Sequence, residues 1–570
     1  MTDDGGSPAL EIEWQFDAID LRPVERWLGR IAGPLAGDGN GSGPSVTSWA
    51  QPAKRLHDSY MDTDDWRVGR CGYVLRVRRS AGLGEATLKG TTPPSGDGPR
   101  KRVEITELLP PQGMEALSVD GPVGRRVHAL AGSRELRRVL DVRTTRRPFD
   151  LRNGGESVAE VALDETVIYA GEGQRPARLR RVEVEVNPEW TERLAPMVED
   201  LKRSCGLQSA TLSKFEAGLL AAGLEIPGPP DLGPTEVTPD STIGELAYAV
   251  IRRNMVSMLV HEPGTRLGED SDELHDMRVA TRRMRAALSL FKDVLPVRVR
   301  SLRDELGWLA DKLGTVRDLD VQIERLGAWA QEVPGSERAA LTGLAGLLES
   351  ERAAGRAELL ADLESARYER LMAGLCTMLR QGPPRRTAAT RAPAVAVVPD
   401  LVAARQRSAA KAARPAKHSA QPEDFHRLRI RCKRLRYALE FVSDVYEGAT
   451  SKVVRRVVRL QDSLGLMQDA TVAVARLESL ATNPSNGLSA TTVFVMGGVA
   501  ERYRFEAKQI AEDLPKGLKA LRGSRWQKLK VLMERRRLEL AAFYRWPLQP
   551  RSVQPTDLEA PHEEVNTTQS

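Results

Sequence analysis

The sequence predicts an α+β protein of several domains, in which a strand-rich N-terminal region precedes an all-α region that is duplicated internally. Period-two alternation dominates the chain up to about residue 225, and helical periodicity in Ala, Leu, Arg and Glu dominates after it. A pattern of charge in the second region recurs 151 residues later, as His275 returns at His426. Single hydrophobic cores stop growing at about 250 to 300 residues, so we expect two domains in a chain of 570 residues.

Several segments of the first region have the alternation and composition of β-strands. They are residues 11–16, 73–79, 86–89, 101–106, 157–169 and 179–186. Two of them carry acidic pairs. Glu11 and Glu13 are two residues apart and therefore point to one face of their strand, and Glu183 and Glu185 do the same.

The charged faces of these strands are compatible with two architectures. Antiparallel strands with charged faces together form either a solvated sheet or a barrel with a charged lumen, and any single strand favours the solvated sheet. The sorting of charge favours the barrel, because acidic pairs lie near both ends of the region while a basic pair, Arg76 and Arg78, lies in the middle. Carboxylates are preferred ligands of Mg²⁺ or Mn²⁺, and arginines orient phosphate oxygens. The pattern therefore predicts a metal–phosphate site.

The second region contains a degenerate repeat of positive charge. The repeated set, which we name the basic groove, comprises His275, Arg278, Arg282, Arg283 and Arg285 in the first copy and His426, Arg429, Lys433, Arg434 and Arg436 in the second. Leu313-Gly314 with Asp318 returns as Leu464-Gly465 with Asp469, at the same offset. These correspondences indicate an internal duplication.

Each copy places its cations on one stripe of a helix. The His and the cations three, seven and ten residues after it fall within an arc of about 80°, with apolar residues such as Met277 and Leu428 roughly opposite. Two such helices facing each other would form a cationic groove, and a polyanion is its simplest partner. A solvated basic face is the alternative, which the duplication disfavours because like charges at i,i+3 and i,i+4 destabilise a helix. We expect Asp318 and Asp469 to hold groove arginines or cap helices.

Breaks in these patterns set the predicted domain boundaries. We place a linker at 223–240, around Pro227-Gly-Pro-Pro230, and a flexible insertion rich in Ala, Pro, Arg and Lys at about 383–421. The two helical repeats then cover about 241–382 and about 422–545. Residues 1–8 and the polar, acidic tail at 546–570 are expected to be disordered.

Composition indicates the cellular compartment in which we expect the protein. The formal charge of +6 and a pI near 9.1 are a mild excess of positive charge, so local patches of charge are more informative than the total. The four cysteines, Cys71, Cys205, Cys376 and Cys432, are far apart, which indicates a reducing compartment without a disulfide framework. No hydrophobic run approaches a membrane span, and the N-terminus is acidic where a signal peptide would be basic and then apolar. We therefore expect a cytoplasmic protein.

The ordered motifs resemble two known families. Residues 9–222 resemble a CYTH domain of the triphosphate tunnel metalloenzyme superfamily, through Glu11-Ile-Glu13, Asp58-Ser-Tyr-Met-Asp-Thr63, Leu75-Arg-Val-Arg78, Thr87-Leu-Lys89, Ala162-Leu-Asp164, Glu183-Val-Glu185 and Ser213-Lys214. Residues 241–545 resemble a CHAD domain, through His275-Asp-Met-Arg-Val-Ala-Thr-Arg-Arg-Met-Arg285, Leu313-Gly-Thr-Val-Arg-Asp-Leu-Asp320 and His426-Arg-Leu-Arg-Ile-Arg-Cys-Lys-Arg-Leu-Arg436. Together the two resemblances span nearly the whole chain.

The CYTH resemblance implies an eight-stranded antiparallel β tunnel barrel, with Mg²⁺ or Mn²⁺ as cofactor and a linear triphosphate as ligand. The implied metal-side carboxylates are Glu11, Glu13, Asp164, Glu183 and Glu185. The implied triphosphate-binding and catalytic cations are Arg76, Arg78, Lys89, Arg143, Arg147 and Lys214. The implied activity is that of a metal-dependent inorganic triphosphatase, a phosphoric anhydride hydrolase, with nucleoside or thiamine triphosphate as alternative substrates.

The chain departs from the CYTH signature at one position. The signature is Glu-x-Glu-x-Lys, and Gln15 stands here in place of the lysine, on the same face as Glu11 and Glu13. A glutamine can donate hydrogen bonds to phosphate, but it cannot neutralise it. Either turnover persists at a reduced level, or the tunnel binds polyphosphate without efficient turnover. On this reasoning Gln15→Lys should raise triphosphate hydrolysis.

The CHAD resemblance implies a duplicated helical bundle that binds inorganic polyphosphate through the basic groove. Nucleic acid is the rival ligand, because basic helices can follow any phosphate backbone. Aromatic residues make up only 5% of the chain, and Tyr437 is the nearest to the stripes, so the stacking platforms of single-strand binders are missing. A third alternative is a non-catalytic protein, associated with polyphosphate granules, whose two domains both bind polyphosphate.

Overall fold

The computed structural model describes residues 9–31, 46–80, 83–91, 98–110, 117, 121–169, 175–228, 230–333, 335–384, 387–418, 421–483 and 488–544. The predicted disorder of residues 1–8 and 546–570 falls outside these ranges. Two compact units divide the chain. The first is Met1–Asp231 with Val256–Arg278 and Ala353–Arg370, and the second is Leu232–Met255 with Val279–Arg352 and Leu371–Ser570.

The first unit contains all the named strands. They are β1 (Ala9–Asp17), β2 (Val46–Ala50), β3 (Lys54–Asp62), β4 (Tyr73–Ser80), β5 (Leu83–Gly90), β6 (Arg100–Leu109), β7 (Arg137–Asn153), β8 (Glu156–Tyr169), β9 (Ala177–Val186) and β10 (Gln208–Ser209). The helices between and after them are α1 (Arg22–Arg30), α2 (Arg67–Arg70), α3 (Pro122–Ala131), α4 (Thr191–Ser204) and α5 (Lys214–Ala222).

Eight of these strands close into an antiparallel barrel. The hydrogen-bonded order is β1-β6-β5-β4-β3-β7-β8-β9, and β9 pairs back with β1. The short strands β2 and β10 pair with β7 and β1 outside this ring. The prediction of an eight-stranded barrel is therefore confirmed.

The alternation seen in the sequence sorts side chains between the two faces of the barrel wall. On β1, Glu11, Glu13 and Gln15 line the lumen, while Trp14 and Phe16 lie outside in an apolar core. This core also includes residues of α1 and α4, which cover the outer face of β1, β8 and β9. The apolar faces are thus buried outside and the charged faces meet inside, which distinguishes the barrel from a solvated sheet.

The other walls of the barrel follow the same rule. Leu75 and Leu88, on β4 and β5, pack with Val127 of α3. Helix α5 packs Phe215 against Tyr60 of β3, with ring centroids 5.2 Å apart. Both aromatic side chains also border the lumen, so α5 brings its first residues to the cavity.

The part of the chain that follows the predicted linker is mainly helical in its described residues. Its helices are α6 (Ile243–Leu267), α7 (Ser271–Leu290), α8 (Val299–Ala330), α9 (Gly335–Leu363), α10 (Ala366–Gln381), α11 (Ala388–Arg391), α12 (Ala394–His418), α13 (Pro422–Phe441), α14 (Ser451–Thr482), α15 (Ala490–Gly517) and α16 (Ser524–Tyr544). Residues 223–240, the predicted linker, form no helix or strand in their described part.

The duplication is visible in the lengths of the helices. Helices α6 and α12 have 25 residues each, α7 and α13 have 20 each, and α8 and α14 have 32 each. In the second unit, α8, α9, α14 and α15 share one core, in which Leu326 and Trp329 lie with Leu477 and Tyr503. Equivalent helices of the two copies therefore pack around a common centre.

The prediction of a flexible insertion at about 383–421 was wrong. Most of that segment is α12, which begins the second copy of the repeat as α6 begins the first. Its Pro399 and Pro415 suggested a loop, but Ala394, Val398 and Val402 recur at a spacing of four residues and are buried. This apolar stripe stabilises the helix through packing, which outweighs its unfavourable composition.

Two backbone hydrogen bonds relate the two copies of the helical repeat symmetrically. The amide of Ile243 donates to the carbonyl of Ala392 at 2.8 Å, and the amide of Ala394 donates to the carbonyl of Ser241 at 2.9 Å. Adding 151 to either residue of the first copy gives its counterpart in the second. Equivalent residues therefore exchange bonds, as expected at an internal two-fold axis.

Candidate functional site

A polar cavity of about 670 Å³ occupies the lumen of the barrel. Acidic and basic side chains line it in nearly equal numbers. The carboxylates are Glu11, Glu13, Asp58, Glu85, Glu104, Glu183, Glu185 and Glu216, and the cations are Arg76, Arg78, Lys89, Arg100, Arg102, Arg146 and Lys214. Such a density of opposite charges in a protein interior requires pairing, because an unpaired buried charge is costly.

One ionic cluster surrounds the acidic pair of β1. Lys89 Nζ lies 2.7 Å from Glu11 Oε1 and 2.9 Å from Glu104 Oε2. Arg102 forms an ion pair with Glu13, and its Nε lies 3.8 Å from Glu11 Oε2. The burial of Glu104 would raise its pKa, but Lys89 and then Arg76 outweigh this and hold the pKa below its usual range.

A second cluster links β7, β8, β9 and α5. Arg146 donates to both oxygens of Asp164, at 3.0 and 2.8 Å, and to Glu183 Oε2 at 2.5 Å. Lys214 forms ion pairs with Asp164 and, at 3.0 Å, with Glu183. Burial would raise the pKa of Glu183, but Lys214 and Arg146 hold it well below its ordinary value.

The position of Lys214 follows from the start of α5. Ser213 accepts a hydrogen bond from the amide of Glu216 at 3.2 Å, and the Glu216 carboxylate accepts one from the amide of Ser213 at 2.6 Å. This capping box fixes the first turn of the helix. Lys214, the first residue of α5, therefore has a defined direction into the lumen.

A third ion pair lies on the facing wall. Arg78 donates to both oxygens of Asp58, at 2.7 and 2.9 Å. Burial would raise the pKa of Asp58, but this hydrogen bonding and the nearby Arg76 bring it below the ordinary value.

Glu185 differs from the other carboxylates of the lumen. It is the cross-strand partner of Glu13, on the two strands that close the barrel. Burial raises the pKa of Glu185, and the negative charge of Glu11 raises it further. Glu185 is thus a carboxylate whose surroundings favour an additional positive charge.

The predicted metal ligands supply carboxylate oxygens from two adjacent strands and from β8. Within the described ranges, no three His, Cys, Asp or Glu side chains converge closely enough to hold a metal ion. Glu11, Glu13 and Glu185 nevertheless supply hard oxygen donors on adjacent strands, and Glu11 Oε2 is buried with no hydrogen-bond partner. These residues fit Mg²⁺ or Mn²⁺ provided that Arg102 and Lys89 release them.

The structure brings most of the predicted tunnel residues together. Glu11, Glu13, Glu183 and Glu185 line the lumen with the predicted cations Arg76, Arg78, Lys89 and Lys214. Asp164 is fully buried and does not line the cavity, although it contacts Arg146 and Lys214, which do.

The predicted placement of Arg143 and Arg147 in the lumen was wrong. The Arg143 side chain is 62% exposed and lies over the ring of Tyr169, and Arg147 forms ion pairs with Glu25 and Glu165. The arginine that enters the lumen from β7 is Arg146, because it is the cross-strand partner of Asp164 and side chains alternate along a strand.

Sequence reasoning also missed functional candidates on β6. Arg100, Arg102 and Glu104 share one face of that strand and line the lumen. The alternation of Arg102 and Glu104 was visible, but nothing local showed that they lie opposite Glu11. That proximity follows from the pairing of β1 with β6.

The basic groove residues lie on α7 and α13. His275 and Arg278 belong to the part of α7 in the first unit, and the other members belong to the second. There Arg429 Nη2 lies 3.7 Å from Asp469 Oδ1, and His426 Nδ1 lies 2.9 Å from Gln468 Oε1. Burial lowers the pKa of Arg429, Asp469 opposes this and Arg282 adds to it.

Arg283 and Arg436 form ion pairs with the same carboxylate, that of Glu440. Arg283 lies 2.5 Å from Glu440 and stacks over Tyr437 and Phe441, and Arg436 lies 2.6 Å from Glu440 on its own helix. The contacts of Arg283 join α7 to α13, whereas the ion pair of Arg436 lies within α13. Asp469 is in the middle of α14, so holding Arg429 is a better account of it than capping a helix.

The fold and its lumen define a tunnel barrel followed by a duplicated helical module. The model of the CYTH domain family matches residues 47–218, and that of the CHAD domain family matches residues 249–478. The chain therefore contains a CYTH domain followed by a CHAD domain.

Several solved structures are similar to part of the chain. The CHAD domain from the plant Ricinus communis is 25% identical, with 52% of this chain and 93% of that chain covered and a TM-score of 0.38. PptA from Streptomyces chartreusis is 20% identical, with 49% and 100% covered and a TM-score of 0.41. A putative adenylyl cyclase from Hippeastrum, described as having a dominant triphosphatase activity, is 17% identical, with 38% and 98% covered and a TM-score of 0.28. Comparison with curated proteins gave no significant match.

Among the described residues, no helix combines the length and apolarity needed to cross a membrane.

Proposed function

We propose that the tunnel hydrolyses a triphosphate, inorganic triphosphate or a related compound, in a metal-dependent reaction. The observation that carries this proposal is the lumen itself, in which cations and carboxylates neutralise one another around a cavity of about 670 Å³. CYTH tunnel proteins are generally dependent on divalent metals.

Exchange of ionic partners explains how the lumen would accept its ligands. A triphosphate brings several negative charges, which attract Lys89 and Arg102 away from Glu11 and Glu13. The released Glu11 and Glu13, together with Glu185, would then hold a divalent cation through their carboxylate oxygens. The metal and the triphosphate should therefore bind cooperatively, because each frees the groups that bind the other.

The cations of the chain have two tasks in this proposal. Arg76, Arg78, Lys89 and Lys214 hold phosphate oxygens, and they absorb the negative charge that develops on the leaving phosphate as water breaks the anhydride bond. A bound divalent cation supplies further polarisation of the phosphoryl group. Arg146 joins this set in place of Arg143 and Arg147.

Phosphate release from tripolyphosphate tests the proposal. Purified wild type should release phosphate with Mg²⁺ or Mn²⁺ and not with excess chelator, and Glu11→Ala/Glu13→Ala should lose activity by at least about 100-fold. ATP and thiamine triphosphate, assayed in parallel, would identify the preferred substrate. Glu165→Gln, on the outer face of β8, is the control and should match wild type. Metal-independent release, or release unaffected in the double variant, would contradict the proposal.

We also propose that the basic groove binds inorganic polyphosphate. Arg282, Arg429 and Lys433 recur with the duplication and are only partly buried, so a chain of phosphates can reach them. Competition between labelled polyphosphate and duplex DNA at moderate salt separates the two polyanions. Displacement of polyphosphate by equimolar DNA would refute this assignment.

A non-catalytic polyphosphate-binding protein is the second candidate. Two observations favour it. Gln15 lacks the charge of the signature lysine, and Asp164 is fully buried and paired with Arg146 and Lys214. The two candidates predict the same binding and differ only in turnover. Absence of phosphate release with either metal, together with tight tripolyphosphate binding, would establish the second.

A further inference from the structure

Gln15 and Arg102 reach the same carboxylate in the lumen. Gln15 Nε2 donates a hydrogen bond of 2.8 Å to Glu13 Oε1, and Arg102 Nη2 forms an ion pair with the same oxygen. The Nε of Arg102 lies 3.8 Å from Glu11 Oε2. One guanidinium therefore spans both carboxylates of the Glu-x-Glu signature.

The pairing of the strands explains this convergence. On the β6 side of β1, Glu11 is the cross-strand partner of Arg102, whereas Gln15 pairs with Glu183 on the β9 side. Cross-strand partners have Cβ atoms about 5 Å apart, so Arg102 extends directly over the acidic pair. A guanidinium introduced from β6 can thus occupy the region that a long cationic side chain at position 15 would reach.

We propose that Arg102 supplies the positive charge that Gln15 lacks and binds phosphate in place of the signature lysine. This inference rests on the proposed function of the tunnel. Arginine remains charged at any physiological pH and can hold phosphate oxygens in a bidentate manner, which glutamine cannot do. Arg102 lines the cavity although its residue is only 8% exposed.

The hydrogen bonding of Arg102 leaves it available for such a ligand. Its Nε is buried and has no hydrogen-bond partner, and neither has Glu11 Oε2 beside it. A phosphate oxygen would satisfy this donor, while a metal ion would satisfy the carboxylate oxygen. Arg102 therefore takes part in both halves of the proposed exchange of partners.

Phosphate binding by Arg102 predicts a pair of affinity changes that differs from the one expected if Arg102 only neutralised Glu11 and Glu13. If Arg102 binds phosphate, Arg102→Gln should weaken tripolyphosphate binding about 10- to 100-fold, the usual effect of losing a hydrogen bond to a charged group. The same substitution should strengthen Mn²⁺ binding, because Glu11 and Glu13 lose a competing cation. The two affinities should change in opposite directions.

Calorimetric titrations of the full-length chain measure the two affinities separately. The variants are Arg102→Gln, Arg102→Lys and the control Lys101→Gln, which removes the same charge from the exposed neighbouring position. Arg102→Lys should retain most of the tripolyphosphate affinity, and Lys101→Gln should change neither affinity. Unaltered tripolyphosphate affinity in folded Arg102→Gln would overturn the proposal. If that variant does not fold, Arg102→Met takes its place as the uncharged variant: a loss of tripolyphosphate affinity of at least about tenfold supports the proposal, and an unaltered affinity overturns it.

Restoring the lysine provides an independent test. Gln15→Lys should rescue tripolyphosphate binding in the Arg102→Gln background to within about threefold of wild type. Because Arg102 already supplies the charge, Gln15→Lys alone should change hydrolysis by less than about threefold, not the gain expected from the sequence. Failure to rescue would refute the equivalence of the two positions.

The outcomes separate this inference from the proposed function. If tripolyphosphate binding depends on Arg102 but no hydrolysis occurs, the inference about Arg102 is supported and the proposed enzymatic activity is refuted. If hydrolysis occurs and does not depend on Arg102, the enzymatic activity is supported and the inference is refuted. A wild-type chain that neither binds nor hydrolyses tripolyphosphate would overturn both.

Discussion

The carboxylate of Asp164 allows a direct test of the ionic network in the barrel wall. It is fully buried, accepts hydrogen bonds of 3.0 and 2.8 Å from Arg146 and forms an ion pair with Lys214. Asp164→Asn preserves the size of the side chain and removes its charge. In asparagine an NH₂ group replaces one of the two carboxylate oxygens, and this group cannot accept a hydrogen bond from Arg146. At least one of the two hydrogen bonds from Arg146 is therefore lost.

The expected cost follows from these contacts. Each hydrogen bond to a charged group contributes about 1.5 to 3 kcal/mol, and removing one partner of a buried ion pair costs about 3 to 5 kcal/mol. Glu183 remains in place to neutralise part of the charge on Arg146 and Lys214. We therefore expect Asp164→Asn to lower the free energy of unfolding of the first unit by about 3 kcal/mol.

Hydrogen exchange across a urea series, read by mass spectrometry, gives the unfolding free energy of β8 and β9 without interference from the second unit. Glu165→Gln is the matched control. Its carboxylate is on the same strand, 56% exposed and 3.4 Å from Arg147, so its loss should cost less than about 0.5 kcal/mol. Equal effects of the two substitutions would refute the assignment of the buried network as a stabilising element.

Two further predictions concern stability. Because the pKa of Glu183 is held below its unfolded value, its contribution to stability is present above the unfolded pKa of about 4.3 and is lost as the pH falls through the lower folded value. Urea unfolding from about pH 5 to about pH 3 should therefore show a steeper loss for wild type than for Glu183→Gln, and equal slopes would contradict the depressed pKa. Val398 is buried in α12, so Val398→Asp should destabilise the second unit by about 3 kcal/mol or more in thermal unfolding, while a flexible insertion would tolerate the change.

The sequence predicted the barrel, the helical duplication and most of the charged lumen. The faces of the strands and helices depend on local periodicity, whereas the closed eight-stranded barrel was favoured by the sorting of charge and implied by the CYTH resemblance. The two-residue alternation of Glu11 and Glu13 and the helical spacing of the groove cations are local properties. The choice between Arg146 and its neighbours was different. Several arginines are adjacent there, and only the pairing of β7 with β8 decides which of them faces the lumen.

Two other features also depend on long-range pairing. Arg102 acquires its role only because β6 pairs with β1, strands separated by more than eighty residues in the chain. Helix α12 is stabilised by packing of its apolar stripe, which outweighs two prolines and an insertion-like composition. The counterpart relation of α6 and α12 was present in the repeat offset, and extending that offset upstream would have predicted the helix.

A pair of variants tests most directly the division of labour between tunnel and groove. Glu11→Ala/Glu13→Ala should abolish metal-dependent hydrolysis of tripolyphosphate and keep wild-type affinity for long-chain polyphosphate. Arg282→Gln/Arg429→Gln/Lys433→Gln should hydrolyse tripolyphosphate within about threefold of wild type and bind long-chain polyphosphate at least about tenfold more weakly. Loss of hydrolysis in the groove variant, or retention of it in the tunnel variant, would contradict the assignment of hydrolysis to the lumen.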